Sequence, residues 1–306
     1  MSLHVFANVV TSFGTAANNR GDSEGSNITP LQKLVWQGQV HSSVSAESIR
    51  FAIRRLLAGA EKQGTNRRWD EDERVNAWED HQFKGWDKKD GKTYIDDDLL
   101  GFMTAEAAKE EGASGSANVR RAVLEVTRAV SLTPWSGDVT FNAASPGATP
   151  SAQKKGSNPV PYGTEVHATR YQFGIAMTPE RLRSPARAAK ALQALACLRA
   201  VAGNHGRFLF DFAPDSVVLR ITDDPAPRLL YCFESADGGK TVEAPSLVQR
   251  VEAGDIKPDE LIVGGAIACG STGKKLKEAG ANVLDGVKAT IEDACKRINV
   301  QLKVKE

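Results

Sequence analysis

The order in which strand-like and helix-like runs alternate constrains this chain more than any single motif. Residues 3 to 13, from Leu3 through Val5, Phe6, Val9 and Val10 to Phe13, are β-branched and aromatic as a sheet strand requires. Residues 45 to 63 follow with Ile49, Ile53, Leu56 and Leu57 at helical spacing. Strands are then expected near 120 to 133 and 165 to 178, a helix near 184 to 202 and a strand near 215 to 222. The resulting order is βαββαβ.

That order predicts an α+β fold of the ferredoxin-like (RRM-like) kind: an antiparallel sheet with helices on one face and the other face open, the face that RNA-recognition modules offer to nucleic acid. Two long interruptions depart from the minimal pattern. Residues 65 to 118 hold Trp69, Trp78 and Trp86 among acidic residues and read as an inserted helical (finger) subdomain with a small aromatic core. Its run Asp96-Asp97-Asp98 is expected to be a solvated face, because adjacent carboxylates rarely point at one cation. Residues 134 to 164 are too rich in proline and glycine for a regular helix, and Lys154 and Lys155 fall near the middle, so an outward-reaching extended thumb hairpin is expected. The division is therefore residues 1–64, 119–133 and 165–306 as a palm with a C-terminal extension, 65–118 as the insertion and 134–164 as the thumb. In the extension, Arg228–Phe233 and Leu261–Val263 read as strands and residues 280 to 296 as helical.

Formal net charge is only +1 over 306 residues. Divided along the chain, it is +2 for residues 1–65, −6 for 66–111, +7 for 112–222 and −2 for the rest. A basic middle suits a polyanion, because phosphate contacts need local positive potential. Cys197, Cys232, Cys269 and Cys295 form no Cys-x-x-Cys pair and read as buried thiols of a reducing cytoplasm. No stretch approaches the ~20 apolar residues of a membrane span, and no signal peptide is expected.

Several short constellations bear on chemistry. Asn18-Asn19-Arg20-Gly21 with Glu24-Gly25 joins the first strand to the first helix, a crossing that can present backbone N–H groups to phosphate. Arg50 and Arg54 share a helix face, with Ser45 and Ser48 near its start; they read either as a phosphate-positioning set or as a capped helix with solvated arginines. Gly203-Asn204-His205-Gly206-Arg207 follows the second helix, either as a ribose-phosphate contact or as a plain cap. Glu165 and His167 share a strand face without an accompanying nucleophile, which favours a structural hydrogen bond over acid-base catalysis. Residues 264 to 274 fail the P-loop spacing, since Ala268 stands where glycine is needed and Lys275 follows Lys274. Trp135 and Phe141 are candidate wedges on the thumb.

The opening strand, the Asn-Asn-Arg-Gly loop, the Ser45-x-x-Ser48-x-Arg50-x-x-x-Arg54 helix, Glu165-Val166-His167, and the Asn204–Arg207 turn leading into Asp211-Phe212-Ala213-Pro214 together resemble the DevR-type backbone subunit of type I-B CRISPR Cascade, within the repeat-associated RNA-binding superfamily. The likeness spans most of residues 3 to 222. It implies a non-catalytic subunit that binds guide RNA (crRNA) and oligomerises along it, with copies of itself, other Cascade subunits and, through the guide, a target DNA strand as partners. It also implies a cytoplasmic location, no membrane, no cofactor and no metal. Expected RNA contacts are Asn18, Asn19, Arg20, Ser45, Ser48, Arg50, Arg54, Arg120, Arg121, Lys154, Lys155, His167, Asn204, His205 and Arg207. The competing readings are an RNA-processing endoribonuclease using His167 or His205, and a DNA-binding developmental regulator.

Overall fold

Val5, Ala7 and Val9 of the first strand pack into one hydrophobic core while Phe6 and Val10 pack into another, so this strand is covered on both faces. A strand that alternates between two dry layers belongs at the centre of a sheet. The computed structural model describes residues 2–17, 28–106, 116–147, 153, 158–202 and 209–304.

In chain order the strands are β1 (His4–Thr11), β2 (Gly14–Ala17), β3 (Ile28–Thr29), β4 (Lys33–Trp36), β5 (Gln39–Val44), β6 (Arg67–Asp70), β7 (Val75–Trp78), β8 (Phe102–Glu106), β9 (Ser116–Arg120), β10 (Leu124–Val126), β11 (Ala129–Ser131), β12 (Val139–Ala144), β13 (Val160–Thr169), β14 (Tyr171–Met177), β15 (Pro214–Thr222), β16 (Leu261–Gly265) and β17 (Asn282–Leu284). The helices are α1 (Ala46–Leu57), α2 (Ile95–Leu100), α3 (Arg187–Ala196), α4 (Pro245–Glu252), α5 (Ser271–Glu278) and α6 (Val287–Gln301). The fold is a mixed α+β one. Its main sheet runs β17-β16-β15-β1-β14-β11-β5-β4, with β10 also on β14. β1 is antiparallel to both β14 and β15, and β14 is antiparallel to β10 and β11.

Helices α1, α2, α3 and α6 bury Ile49, Ile53, Leu99, Leu192, Leu195 and Ile298 against one face. Each such side chain contributes about 1.5–3 kcal/mol of transfer free energy. The other face was expected to be open, but at the central strands it is not. Residues 229–256 and 267–281, on either side of β16, lie over it, with Leu229, Phe233, Leu247, Val251 and Leu276 packed against Phe6, Val10 and Val218. Polar groups on that face are also consumed: Asn8 Nδ2 and Gln172 Oε1 are 3.3 Å apart, Gln172 donates to Phe233 O at 3.0 Å, and Arg220 donates to Glu260 at 2.8 Å. A nucleic acid therefore cannot lie across the middle of this sheet.

Other departures have local causes. The expected strand over 165 to 178 breaks at Arg170, whose guanidinium bonds Thr11 O, Gly239 O and Asp215; β13 leaves the main sheet there and joins β12, β2 and β3 in a second one. Arg228 and Tyr231 have φ of 53° and 55°, left-handed values no strand allows, so Arg228–Phe233 is irregular. The insertion is less helical than expected: among the described residues it holds hairpins β6–β7 and β8–β9, one six-residue helix and a single 3₁₀ turn. Its small aromatic core centres on Phe83 and Phe102, whose rings stack at 3.9 Å, with Trp78 edge-on to Phe83 at 5.7 Å. Residues 139–144 and 160–165 pair as an antiparallel hairpin in the predicted thumb. Cys232 and Cys295 are buried as expected, whereas Cys197 and Cys269 are exposed.

Candidate nucleic-acid interface

Helix α1 begins with its own cap. Ser45 Oγ accepts from Ser48 N at 3.2 Å, and the two hydroxyls also lie 3.2 Å apart. One of the first free N–H groups is therefore satisfied locally. Further along, the chemistry of the two arginines diverges. Arg50 Nη2 donates to Leu100 O, and Arg50 lines an open cavity of about 520 Å³ with Met103, Val119, Arg120, Arg121 and Glu125. Arg54 turns inward, where its Nε donates to Asp96 Oδ2 at 3.2 Å with its side chain only 14% exposed. Burial first, and then Arg67 nearby, hold the Arg54 pKa below its ordinary value. Arg54 is thus a core cation, not a phosphate contact.

The aspartate run is the partner of several such cations, and the solvated face expected of it is not found. Asp96, Asp97 and Asp98 are all buried. Successive helical residues point about 100° apart, so the three carboxylates serve different neighbours. Asp96 accepts from Asn66 N at 2.7 Å as well as from Arg54. Asp97 accepts from Asn66 Nδ2 at 2.9 Å. Asp98 accepts from Arg187 Nη1 at 2.9 Å, Arg183 N at 2.9 Å and Arg120 Nη2 at 2.5 Å. Arg187 also makes a bidentate pair with Glu61 at 3.0 and 2.9 Å. Burial opposes the Arg187 charge, but Glu61 and Asp98 outweigh it and the pKa lies above its ordinary value. For Asp97, burial and then the Asp96 charge push the pKa up to about 7.

Arg120 connects this hub to the surface. It pairs with Asp98, donates to Arg181 O at 3.1 Å and lies 4.3 Å from the Trp86 ring centre. Arg121 points outward with its side chain 81% exposed, bonded only to Glu125 at 2.7 Å among the described residues. Gly101 makes this neck possible: its φ is +69°, and a Cβ there would meet Arg120 O at 2.3 Å. Of the expected contacts, the structure brings Arg50, Arg120 and Arg121 to one cleft and takes Arg54 away from it.

His167 is also withdrawn. It is 3% exposed, with Nδ1 2.7 Å from Ser42 Oγ, which lies 2.7 Å from Tyr171 OH. Burial lowers its pKa to about 4, so it is neutral at pH 7 and unreachable by a strand on the surface. This corrects its assignment as an RNA contact and removes it as a catalytic base. Glu165 accepts from Leu31 N at 2.7 Å and pairs with Lys33 at 2.6 Å. On β12, Phe141 is 81% exposed, while Trp135, just before that strand, is half-buried and donates to Val166 O at 3.0 Å. At the start of α5, the amides of Ser271 and Thr272 are taken by Glu243 at 3.1 and 2.8 Å. Asn18, Asn19, Arg20, Lys154, Lys155, Asn204, His205 and Arg207 lie outside the described residues. Sequence reasoning did not single out Trp86, Phe102, Asn118 and Arg181, which line an adjoining cavity from separate segments; only the Gly101 turn between an apolar helix end and an alternating strand marks the place.

Fold and cleft together define an α+β protein with a two-layered central sheet, inserted hairpins and a cationic neck. The family model described as "CRISPR-associated negative auto-regulator DevR/Csa2" matches residues 9–195. The chain is 62% identical over 306 residues to the "CRISPR-associated protein Cas7/Cst2/DevR" of Myxococcus xanthus (strain DK1622), covering 99% of this chain and 100% of that one. The chain belongs to the DevR/Csa2 family of CRISPR-associated proteins. Its fold is similar to that of a chain in a "CRISPR RNA-guided surveillance complex" (TM-score 0.59, 16% identity, 96% of this chain and 99% of that one). A chain of a "CRISPR RNA-guided surveillance complex, pre-nicking" gives a TM-score of 0.58 at 14% identity, covering 96% of this chain and 100% of that one.

Proposed function

We propose that this protein is a non-catalytic, guide-RNA (crRNA) binding backbone subunit of a type I-B CRISPR Cascade, repeated head to tail along the spacer. Its palm is ferredoxin-like (RRM-like), a reading supported by the order β15-β1-β14-β10/β11 with α1 and α3 in the crossovers. Residues 65–118 serve as a finger and 134–164 as a thumb, with Phe141 as its wedge. Copies of the chain, other Cascade subunits and a target DNA strand paired to the guide are its partners, in the cytoplasm. Among the described residues, no helix is long and apolar enough to cross a membrane.

The observation that carries this reading is the convergence of Arg50, Arg120 and Arg121 on one open cleft of a DevR/Csa2 family member. Because the centre of the sheet is covered, the strand runs past the neck of the β8–β9 hairpin instead. Arg50 and Arg121 supply charge to the phosphates, and base pairing is left free to read sequence. A salt titration of single-stranded RNA binding tests it. Arg50→Ala and Arg121→Ala should each weaken binding and lower the salt slope by roughly 0.7 per lost phosphate contact, whereas unchanged slopes in both would refute the assignment. Purified protein should also carry RNA of uniform length.

The words "negative auto-regulator" in the matched family description favour one second reading, a DNA-binding regulator. Tighter binding of duplex DNA than of single-stranded RNA in a gel shift would select it. Endoribonuclease activity through His167 has no support, since that imidazole is buried and neutral.

A further inference from the structure

Beside the Arg50 cavity lies a second one of about 430 Å³, and the two share Phe102, Val119, Arg120, Arg121 and Ala122 along the hairpin neck. Its size is within the roughly 300–1,000 Å³ of small-molecule sites. Its lining differs from the first in adding Trp86, Asn118 and Arg181. We infer that this second cavity accepts one unpaired nucleobase of the bound strand, an inference that rests on the RNA-binding reading above.

The walls are aromatic and fixed. Trp86 and Phe102 have ring centres 5.8 Å apart, and one face of Phe102 is stacked on the buried Phe83 at 3.9 Å. Trp86 has guanidinium groups at 4.3 Å (Arg120) and 4.7 Å (Arg183). Both cations are tethered, Arg120 to Asp98 at 2.5 Å and Arg183 to Lys88 O and Lys89 O at 2.8 and 2.9 Å, so the indole is held before any ligand arrives. A base presents a flat π-face and a rim of donors and acceptors. With Trp86 under its two guanidinium groups, the face of Phe102 not stacked on Phe83 matches the base's face, and the exposed Asn118 amide, with one acceptor and two donors, matches the rim. Asp98 neutralises Arg120 and Glu125 pairs with Arg121, so the exposed Arg181 supplies charge for a flanking phosphate, joined by the exposed Arg121 where the strand displaces Glu125. A base inside a duplex has no accessible face, so the occupant must be unpaired. An acidic peptide would use the arginines but leave the aromatic walls unmatched.

The test compares a short oligoribonucleotide with the abasic ribose-phosphate chain of the same length, by fluorescence anisotropy on the full-length protein. Wild type should bind the base-bearing strand roughly tenfold or more tightly than the abasic one, in line with the loss of one stacked base. Asn118→Ala, an exposed position that should not disturb folding, and Phe102→Leu, on the wall the two cavities share, should each shrink that ratio. A 2-aminopurine placed in the strand should be quenched by wild type and less so by Phe102→Leu. Equal binding of both strands, or a ratio that survives in both variants, would overturn the base pocket while the cleft reading stands. If neither strand binds, both readings fall. Displacement of RNA by an oligoglutamate peptide, lost in Asn118→Ala, would replace the base with an acidic peptide.

Discussion

Arg50 and Arg54 stand one turn apart on α1 and share a face, yet one lines an open cleft and the other is spent inside the protein. The difference is made by α2. Its three consecutive aspartates fan out around a short helix, and Asp96 and Asp98 draw Arg54, Arg187 and Arg120 toward the interior. Among the described residues, the lining of the cleft next door holds one carboxylate, Glu125, which pairs with Arg121 and is half exposed. Identical residue types therefore serve packing in the hub and carry free charge in the cleft. Location relative to Asp96–Asp98 decides between these roles, and helix spacing does not.

The largest effect should come from cutting the hub. Arg187 has a side chain only 5% exposed and holds both Glu61 and Asp98. Replacing it by alanine leaves two carboxylates without their shared cation in a dry site, which costs about 3–5 kcal/mol. Urea denaturation should show that loss, and salt-dependent RNA binding of the protein that stays folded should keep its slope. A stability change below about 1 kcal/mol would place Arg187 with the surface arginines and erase the contrast between the two regions.

A smaller effect sets the hub against the thumb base through pH. Asp97 has its pKa raised from 3.8 to about 7, so the folded protein holds an extra proton between those values and this group makes stability fall as pH rises through the window. His167 has its pKa lowered from 6.5 to about 4, so the unfolded chain holds the extra proton and this group makes stability rise with pH. Between about pH 4 and 6.5 the two slopes oppose each other. Asp97→Asn removes one of them. The variant should then lose stability on acidification from pH 7 to 4.5 more steeply than wild type, by on the order of 3 kcal/mol, and should be the more stable protein at pH 8. Superimposable pH profiles would mean that Asp97 carries no burial cost.

Much of the element order was legible in the sequence because it depends on periodicity: β1, α1, β14 and α3 fall within the expected spans, and β15 begins one residue before its own. The prolines and glycines of 134 to 164 signalled an extended excursion, and within it residues 139–144 pair with 160–165. The covered sheet face was not, because the segments that cover it, residues 229–256 and 267–281, follow the core in sequence and carry ordinary amphipathic patterns of their own. The cleft was half legible. Basic residues at 50, 120 and 121 could be picked out by charge, but their separation from Arg54 depends on where α2 packs. His167 was misassigned for a related reason: a histidine on a strand reads the same whether its face meets solvent or, as here, Ser42 and Thr133.

The smallest effect probes Glu125, the one carboxylate that lines the Arg50 cavity among the described residues. Arg121 and Glu125 pair at 2.7 Å with side chains 81% and 49% exposed, an arrangement that contributes about 0–1 kcal/mol to stability. Glu125→Gln should accordingly leave the denaturation midpoint almost unchanged, in contrast to any substitution in the hub. Its effect should appear in binding: losing a negative charge beside the strand frees Arg121 for phosphate and removes a like-charge repulsion. The affinity for single-stranded RNA should rise about two- to fivefold at low salt, and the gain should shrink as salt rises and screens the site. A fall in affinity would mean that Glu125 positions Arg121 for the strand and does not compete with it, which would make the cleft, like the hub, an arrangement held by its carboxylate.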